Sequence, residues 1–370
     1  EAVIGVAMPG VEITARDAGS AVAYTYVAPQ TTVTLDSLVA DDEPVPFDVI
    51  VALTDLAGSY TGANEGEPIS QAVSIGTLTI DMDADVPEED VAFTLDMSIA
   101  DIESEGTGGS MMLYAGADLP TLLEEGFTTD TRGSGGATSV EIDFAEGRET
   151  FALSATMDGY TSRFALDANV MDIEQTATNF AFTASGSEIP LPRVTGSLGE
   201  WTTNVGLPLT PSDTAEPFDM RVVLGDLELG EEIWSMVDPA GALPRDPATL
   251  VLDLVGSVKL LISLFDEEQL ATTDMPGELE SLTVNEMLLR LAGAELTGTG
   301  AFTFDNARTA FNGFPAPDGS MNLQVVGANG LIDRLVQMGL IQEQQVMMAR
   351  MMIGMLAIPG DGPDTLVSEI

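Results

Sequence analysis

The sequence predicts a β-rich α+β protein: extended, curved antiparallel sheet, with a pair of helices near the C-terminus. Two patterns carry that prediction. Apolar and polar residues alternate over most of the first 229 residues, and a helical period is confined to residues 329–357. Composition adds a third constraint. Of 370 residues, 45% are hydrophobic, yet 60 are acidic and only 12 basic, so the acids belong on the surface and the apolar residues beneath it.

The strands come first. Runs such as "TTVTLDSL", "VAFTLDMSIAD", "SVEIDFA", "FALSATMDG" and "RFALDANV" send successive side chains to opposite sides, as half-buried antiparallel strands do. Gly, Asp, Asn and Pro punctuate them, which reads as a β-meander over 1–230. The polar stretches "TGANEGEP" (61–68) and "RGSGGATS" (132–139) read as loops, and "DLPTLLEEGF" (118–127) as a short helix. At 230–250 the alternation breaks: Trp234 and Met236 fall on a helical turn, followed by three prolines. This places a boundary at about 230, with 231–370 continuing the sheet and carrying the C-terminal helices. "TLVLDLVGSVKLLISLF" (249–265) reads as a strand running toward a helix. Residues 279–305 read as hairpins and 320–328 as a further strand.

The helical pair spans 329–339 and 343–357. Asn329 is the expected N-cap of the first helix, Gly339 its left-handed stop, and Pro359 the barrier to extending the second. The second helix holds Met347, Met348, Met351, Met352 and Met355. At about 100° per residue these five cover an arc of roughly 140°, extended by Leu356, with Arg350 pointing away. The apolar stretch 346–358 is about 20 Å long as a helix, short of the roughly 30 Å hydrocarbon core, so no transmembrane span is expected. Two uses of the arc remain: packing down onto the sheet as core, which thioethers do well, or lining an apolar groove for an acyl chain or partner helix. Lateral contact with a membrane is opposed by the overall charge.

Charge and missing residue types exclude much else. A net charge of −48 repels phosphate backbones and anionic headgroups, so nucleic acid and acidic membranes are poor partners. A single lysine, Lys259, beside eleven arginines makes a surface suited to a saline setting. With no cysteine and no histidine there is no thiol nucleophile, no disulfide, no imidazole base and no usual zinc ligand set. No catalytic, cofactor-binding or metal residues are assigned. Asp81, Asp83 and Asp85 alternate as in a calcium loop, but Val86 and Ala92 stand where that loop needs Gly and Glu, which leaves a solvated acidic turn. Ser257 and Lys259 share a face of an extended run and read as structural.

Several phrases together resemble one family: "SGSEIPLP" (185–192), "EEIWSMVDPAGALPRDPATLVLD" (231–253), "DMPGELESLTVN" (274–285), "AGAELTGTGAFTFDN" (292–306) and "GANGLIDRLVQMGLIQEQQVMMARMMIGMLAIPGDGPDTL" (327–366). They are similar to the domain-of-unknown-function 2125 family of alphaproteobacteria. The resemblance implies an exported protein with its signal peptide removed, an envelope or periplasmic location, and no assigned activity or functional residues. It also implies a distant, fold-level likeness to AsmA-type envelope proteins, whose curved sheets offer apolar grooves to lipids. A chain opening at Glu1 and ending in the strand-like "DTLVSEI" reads as a mature body or fragment.

The expectation is therefore a non-enzymatic binding or scaffold protein of the envelope, with an apolar groove for a lipid or other hydrophobic ligand. The alternative is a structural or protein–protein interaction module with no small-molecule ligand. The protein partner is not specified by the sequence.

Overall fold

A computed structural model describes residues 2–19, 21–40, 43–63, 70–88, 90–109, 119–273, 275–309 and 315–370. It is 66% strand and 12% helix, with antiparallel pairing, which bears out the β-rich class. The first elements are β1 (Ala2–Ala7), β2 (Glu12–Asp17), β3 (Ala21–Ala40), β4 (Glu43–Val45), β5 (Phe47–Ala63), β6 (Ser70–Val86), β7 (Val91–Gly108) and α1 (Leu119–Glu124). Next come β8 (Thr129–Gly135), β9 (Thr138–Glu146), β10 (Glu149–Met157), β11 (Gly159–Leu166), β12 (Val170–Gly186) and β13 (Val194–Pro208). Then follow β14 (Glu216–Leu229), α2 (Glu231–Val237), β15 (Ala248–Leu260), α3 (Glu267–Thr272), β16 (Gly277–Leu291), β17 (Ala294–Thr309) and β18 (Pro315–Val326). The chain closes with α4 (Ala328–Gln337), α5 (Glu343–Leu356), β19 (Ile358–Pro359) and β20 (Thr365–Glu369).

The chain divides into two units, one of residues 1–165 and 175–197, the other of 166–174 and 198–370. The sequence boundary at about 230 falls inside the second unit. The reason is local: α2 and its proline-rich loop interrupt the alternation, but β14 and β15 on either side pair directly, Val223 opposite Val251.

In the first unit, β3 pairs with β1 and β2 along one edge and with β5 along the other, and the ladder continues through β6, β7, β9 and β10 to β12. Two sequence expectations are corrected here. Residues 132–139 are not a loop: they form the end of β8 and the start of β9, with only Gly136 and Ala137 between. Asp81, Asp83 and Asp85 are not in a turn but on β6, at alternate exposed positions. Strand alternation accounts for their spacing. Of the expected loop 61–68, residues 61–63 complete β5 and 64–68 lie outside the described residues.

The pairing is interrupted at one level across this ladder. Thr54 pairs with Thr77 and Ala57 with Ser74, but Asp55 and Gly76 between them do not pair. On the next strand Asp101 is skipped likewise. Asp55 and Asp101 have left-handed backbones, with φ of 51° and 50°. A Cβ on Gly76 would lie 3.1–3.2 Å from the Asp55 side chain, and one on Gly136 about as close to Asp101, at 3.4 Å. Each left-handed aspartate thus leans toward a glycine across the ladder, Gly76 on β6 and Gly136 between β8 and β9. Asp226 on β14 stands in the same relation to Gly199, at 3.2 Å, in the second unit. Irregularities of this kind bend strands locally.

In the second unit the order is β14–β15–β16–β17–β18–β20–β19. β16 and β17 form the expected hairpin. Its two-residue turn, Ala292 and Gly293, has φ of 49° and 77°, the type I′ geometry that matches strand twist. The run 249–265 resolves into β15, then a turn, then α3, whose N-cap Asp266 accepts from the Gln269 N–H. Ser257 and Ser281, direct partners, share a hydrogen bond at 2.7 Å, in keeping with a structural role for Ser257.

Core is sparse and unevenly placed. Among the described residues the first unit buries only Ala28 and Leu123 of its apolar side chains, whereas the second buries Leu166, Leu209, Val223, Leu243, Val251, Leu260, Val284, Ala292 and Val346.

Candidate functional site

The register of the first unit places its apolar residues in ranks that run across the strands. One rank is Val51, Ile80, Met97, Val140, Ala155 and Phe182; the next is Val49, Met82, Leu95, Ile142, Leu153 and Ala184. A third is Phe47, Ala84, Phe93, Phe144 and Phe151. Direct partners share a face, and two-residue steps along a strand return to it, so all three ranks lie on one side. The other side is polar and acidic: Asp81, Asp96 and Glu141 stand directly opposite one another on β6, β7 and β9, and Asp48 stands opposite Asp83.

A sheet sorted this completely needs something against its apolar side. The unit's one described helix, α1, has six residues and hydrogen-bonds to its own flanking chain. The ranked side chains remain only half-buried, and Phe151 is exposed. From β5 to β12 the ranks cross five strand spacings, about 24 Å, and extend about 14 Å along the strands. Phe93, Phe144 and Phe151 also line a shallow cavity of about 260 Å³.

The second unit holds a larger groove, about 520 Å³, across β16, β17, β18 and β20. Met287, Leu288, Leu323, Val367 and Ile358 supply apolar walls, and Glu286 and Glu369 are its ionisable groups. Its volume falls within the roughly 300–1,000 Å³ typical of small-molecule sites. The groove adjoins the helical pair, because Ile358 lies two residues beyond the end of α5 and the Ser368 hydroxyl, also in the lining, donates to the Leu356 carbonyl.

The helical pair falls where expected, with one correction at its cap. Asn329 does not cap α4: it lies inside the helix, and Gly327, with φ of 76°, takes the N-cap position. Asp364 serves the helix start instead, accepting from the backbone N–H groups of Asn329 and Gly330 at 3.2 and 2.9 Å. Gly339 is left-handed as expected; its N–H reaches the Val336 carbonyl and that of Leu340 reaches Leu335, which is the double hydrogen bond of a Schellman stop.

The methionine arc does not pack onto the sheet. Met347, Met348, Met351 and Met355 are 69%, 64%, 63% and 80% exposed, and Leu356 is 64% exposed, while Val346 is 8% exposed. The core reading of these residues is overturned by the opposite face. Val346, Arg350, Ile353 and Ala357 recur at helical spacing; Val346 is buried, Ile353 and Ala357 are half-buried, and Arg350 reaches Asp333 on α4 at 2.6 Å. That face points inward, so the arc points out. The side chain of Met352 lies outside what is described.

Carboxylates gather around Gly206 in the second unit. A Cβ on Gly206 would lie 2.5 Å from an Asp219 oxygen and 3.0 Å from one of Asp172. Burial pushes the Asp219 carboxyl above its ordinary range, helped by Asp172, Asp253 and Glu174. Asp253 is held low instead, by hydrogen bonds from Asn285 and then from Arg221, whose ion pair spans 2.6 Å. Among the described residues no group of three or more acids could hold a metal ion.

The family model described as uncharacterized protein conserved in bacteria, DUF2125, matches residues 117–369, more than half of the chain. The chain belongs to the DUF2125 family. Neither a curated protein nor a solved structure matches it. The DUF2125 match includes the second unit's groove, both C-terminal helices and the strands β9 and β10 that carry Ile142, Phe144 and Phe151. In this DUF2125 chain no described helix is long and apolar enough to cross a membrane. The sequence singled out the methionines but missed the ranked face, although its signal was present: "TLDMSI", "VEIDF" and "FALSA" each repeat an apolar residue every second position.

Proposed function

We propose that this protein is a non-enzymatic binding or scaffold protein that holds the alkyl part of a lipid or similar amphiphile against the apolar face of its first unit. The observation that carries this reading is the set of ranks through Met97, Leu95 and Phe93, only half-buried, in a unit whose one described helix has six residues, too few to cover them. Water against three such ranks is unfavourable at about 25 cal/mol per Å², and exposed patches larger than a few hundred Å² mark binding surfaces. The second unit's groove supports the same reading with space for a chain. A periplasmic or envelope location belongs to the proposal and is supported by the resemblance that accompanies the family.

The test is native mass spectrometry of protein purified from its own cells, with lipid extraction, followed by titration of the delipidated protein with a fluorescent fatty acid. Co-purified lipid and saturable uptake, weakened by Leu95→Ser or Ile142→Ser, are expected. A lipid-free protein that takes up no fatty acid overturns the reading in favour of a structural or protein–protein interaction module.

A further inference from the structure

We infer that the outward face of α5 is a docking surface for a zwitterionic lipid bilayer, positioned to pass an acyl chain to the neighbouring groove. The inference extends the ligand reading above and concerns a different surface.

The first argument is charge. Along the arc from Met347 through Met348, Met351 and Met355 to Leu356, and on to Ile358, no residue is charged. The one cation of α5, Arg350, lies on the opposite face and pairs with Asp333 of α4 at 2.6 Å, with 44% of its side chain still exposed. An exposed helix normally presents its charged face to water; here the most exposed side is the uncharged one.

The second argument is the kind of side chain. Methionines with flexible thioethers conform to a fluid surface at little cost, whereas a fixed partner rewards rigid aromatic anchors, and the arc has none. The third is position. Leu356 and Ile358 end the arc, Ile358 lines the 520 Å³ groove, and the Ser368 hydroxyl ties groove to helix. A bilayer against the arc therefore meets the groove at its margin.

The chain's charge then chooses the lipid. A second copy would bring another −48 to the contact, and anionic headgroups would be repelled in the same way. Zwitterionic headgroups incur neither penalty. Insertion is shallow, since the helix lies along the interface with its other face held by α4.

The experiment is flotation of the delipidated full chain with phosphatidylcholine vesicles, repeated with vesicles containing phosphatidylglycerol. The double variant Met351→Gln, Met355→Gln is compared with Met236→Gln, a change at an exposed methionine on α2. Expected are flotation with phosphatidylcholine, at least about a tenfold loss in the double variant, no loss in the control, and weaker binding as phosphatidylglycerol is added. No flotation, a requirement for anionic lipid, or equal flotation of the double variant overturns the inference; a protein captured at α5 in place of vesicles does so as well. Fatty-acid uptake in vesicle-free buffer reads the ligand site alone. Uptake without flotation sinks only the docking surface, and flotation without uptake sinks only the ligand reading.

Discussion

One oxygen of Asp364 accepts both the backbone N–H of Asn329, at 3.2 Å, and its side-chain amide, at 2.7 Å, across 35 residues of sequence. The start of α4 is thus fastened to the turn that leads into β20 rather than by its own N-cap, Gly327, which has no side chain to offer. A cap supplied from so far away joins helix and sheet into one element of stability.

Asp364→Ala is expected to cost about 0.5–2 kcal/mol, as the loss of a helix cap does. Burial raises the Asp364 carboxyl, but the N–H groups of Gly330 and Asn329 and the Asn329 amide outweigh it, so the folded pKa lies below the unfolded one. The contribution is therefore present above the unfolded value of about 4 and is lost as pH falls through the folded value. Chemical denaturation at pH 7 and pH 3 checks it: the difference between wild type and variant shrinks at the lower pH.

Asp238 is fully buried and accepts the N–H groups of Leu243 and Ala242 at 2.7 and 3.0 Å. Those bonds hold its carboxyl low, so its contribution also fades only in acid. Asp238→Ala strands two donors in the loop between α2 and β15 and is expected to lower the melting temperature. Hydrogen exchange is expected to quicken first at Ala242 and Leu243.

Asp81, Asp96 and Glu141 face one another across three adjacent strands. Like charges so placed destabilise by roughly 0.2–1 kcal/mol each. Asp96→Asn, which removes the middle charge, is expected to raise the melting temperature in low salt and to flatten its rise with NaCl, since added salt screens the same repulsion. Melts between millimolar and molar NaCl test this.

Met351→Ala and Met355→Ala are expected to change stability by no more than about 0.5 kcal/mol each, because both side chains are exposed. Val346→Ala, on the inward face of the same helix, is expected to cost more through the cavity it leaves. Thermal melts of the three variants rank the two faces of α5 directly.

How far the sequence foretold these features depended on whether a signal was periodic. Two-residue alternation revealed the strands, and the 3.6-residue period with Gly339 and Pro359 delimited α4 and α5 to within a few residues. What escaped was set by partners distant in sequence. Asn329 looks like a cap by residue type, and only the fold brings Asp364 to displace it. The methionine arc looks like core by hydropathy, because Val346 and Ile353, which form the inward face, are too few to stand out in a helix apolar on nearly every side. Glycines within 132–139 suggested a loop; at Gly136 a Cβ would instead crowd the Ala100 carbonyl oxygen, at 3.2 Å. The aspartates at 81, 83 and 85 suggested a turn because acids are common there, yet their spacing of two was already that of a strand.

That only Ala28 and Leu123 are buried among the described apolar side chains of the first unit has a calorimetric consequence. Unfolding normally raises heat capacity by about 12–15 cal/mol/K per residue, chiefly because buried apolar surface becomes hydrated. Side chains such as Leu95 and Ile142, already partly wet in the fold, have less hydration to gain, so the delipidated chain is expected to unfold with an increment below that range. An alkyl chain laid over the ranks would dry them, and the bound form would unfold with the larger increment and a more sharply curved stability profile.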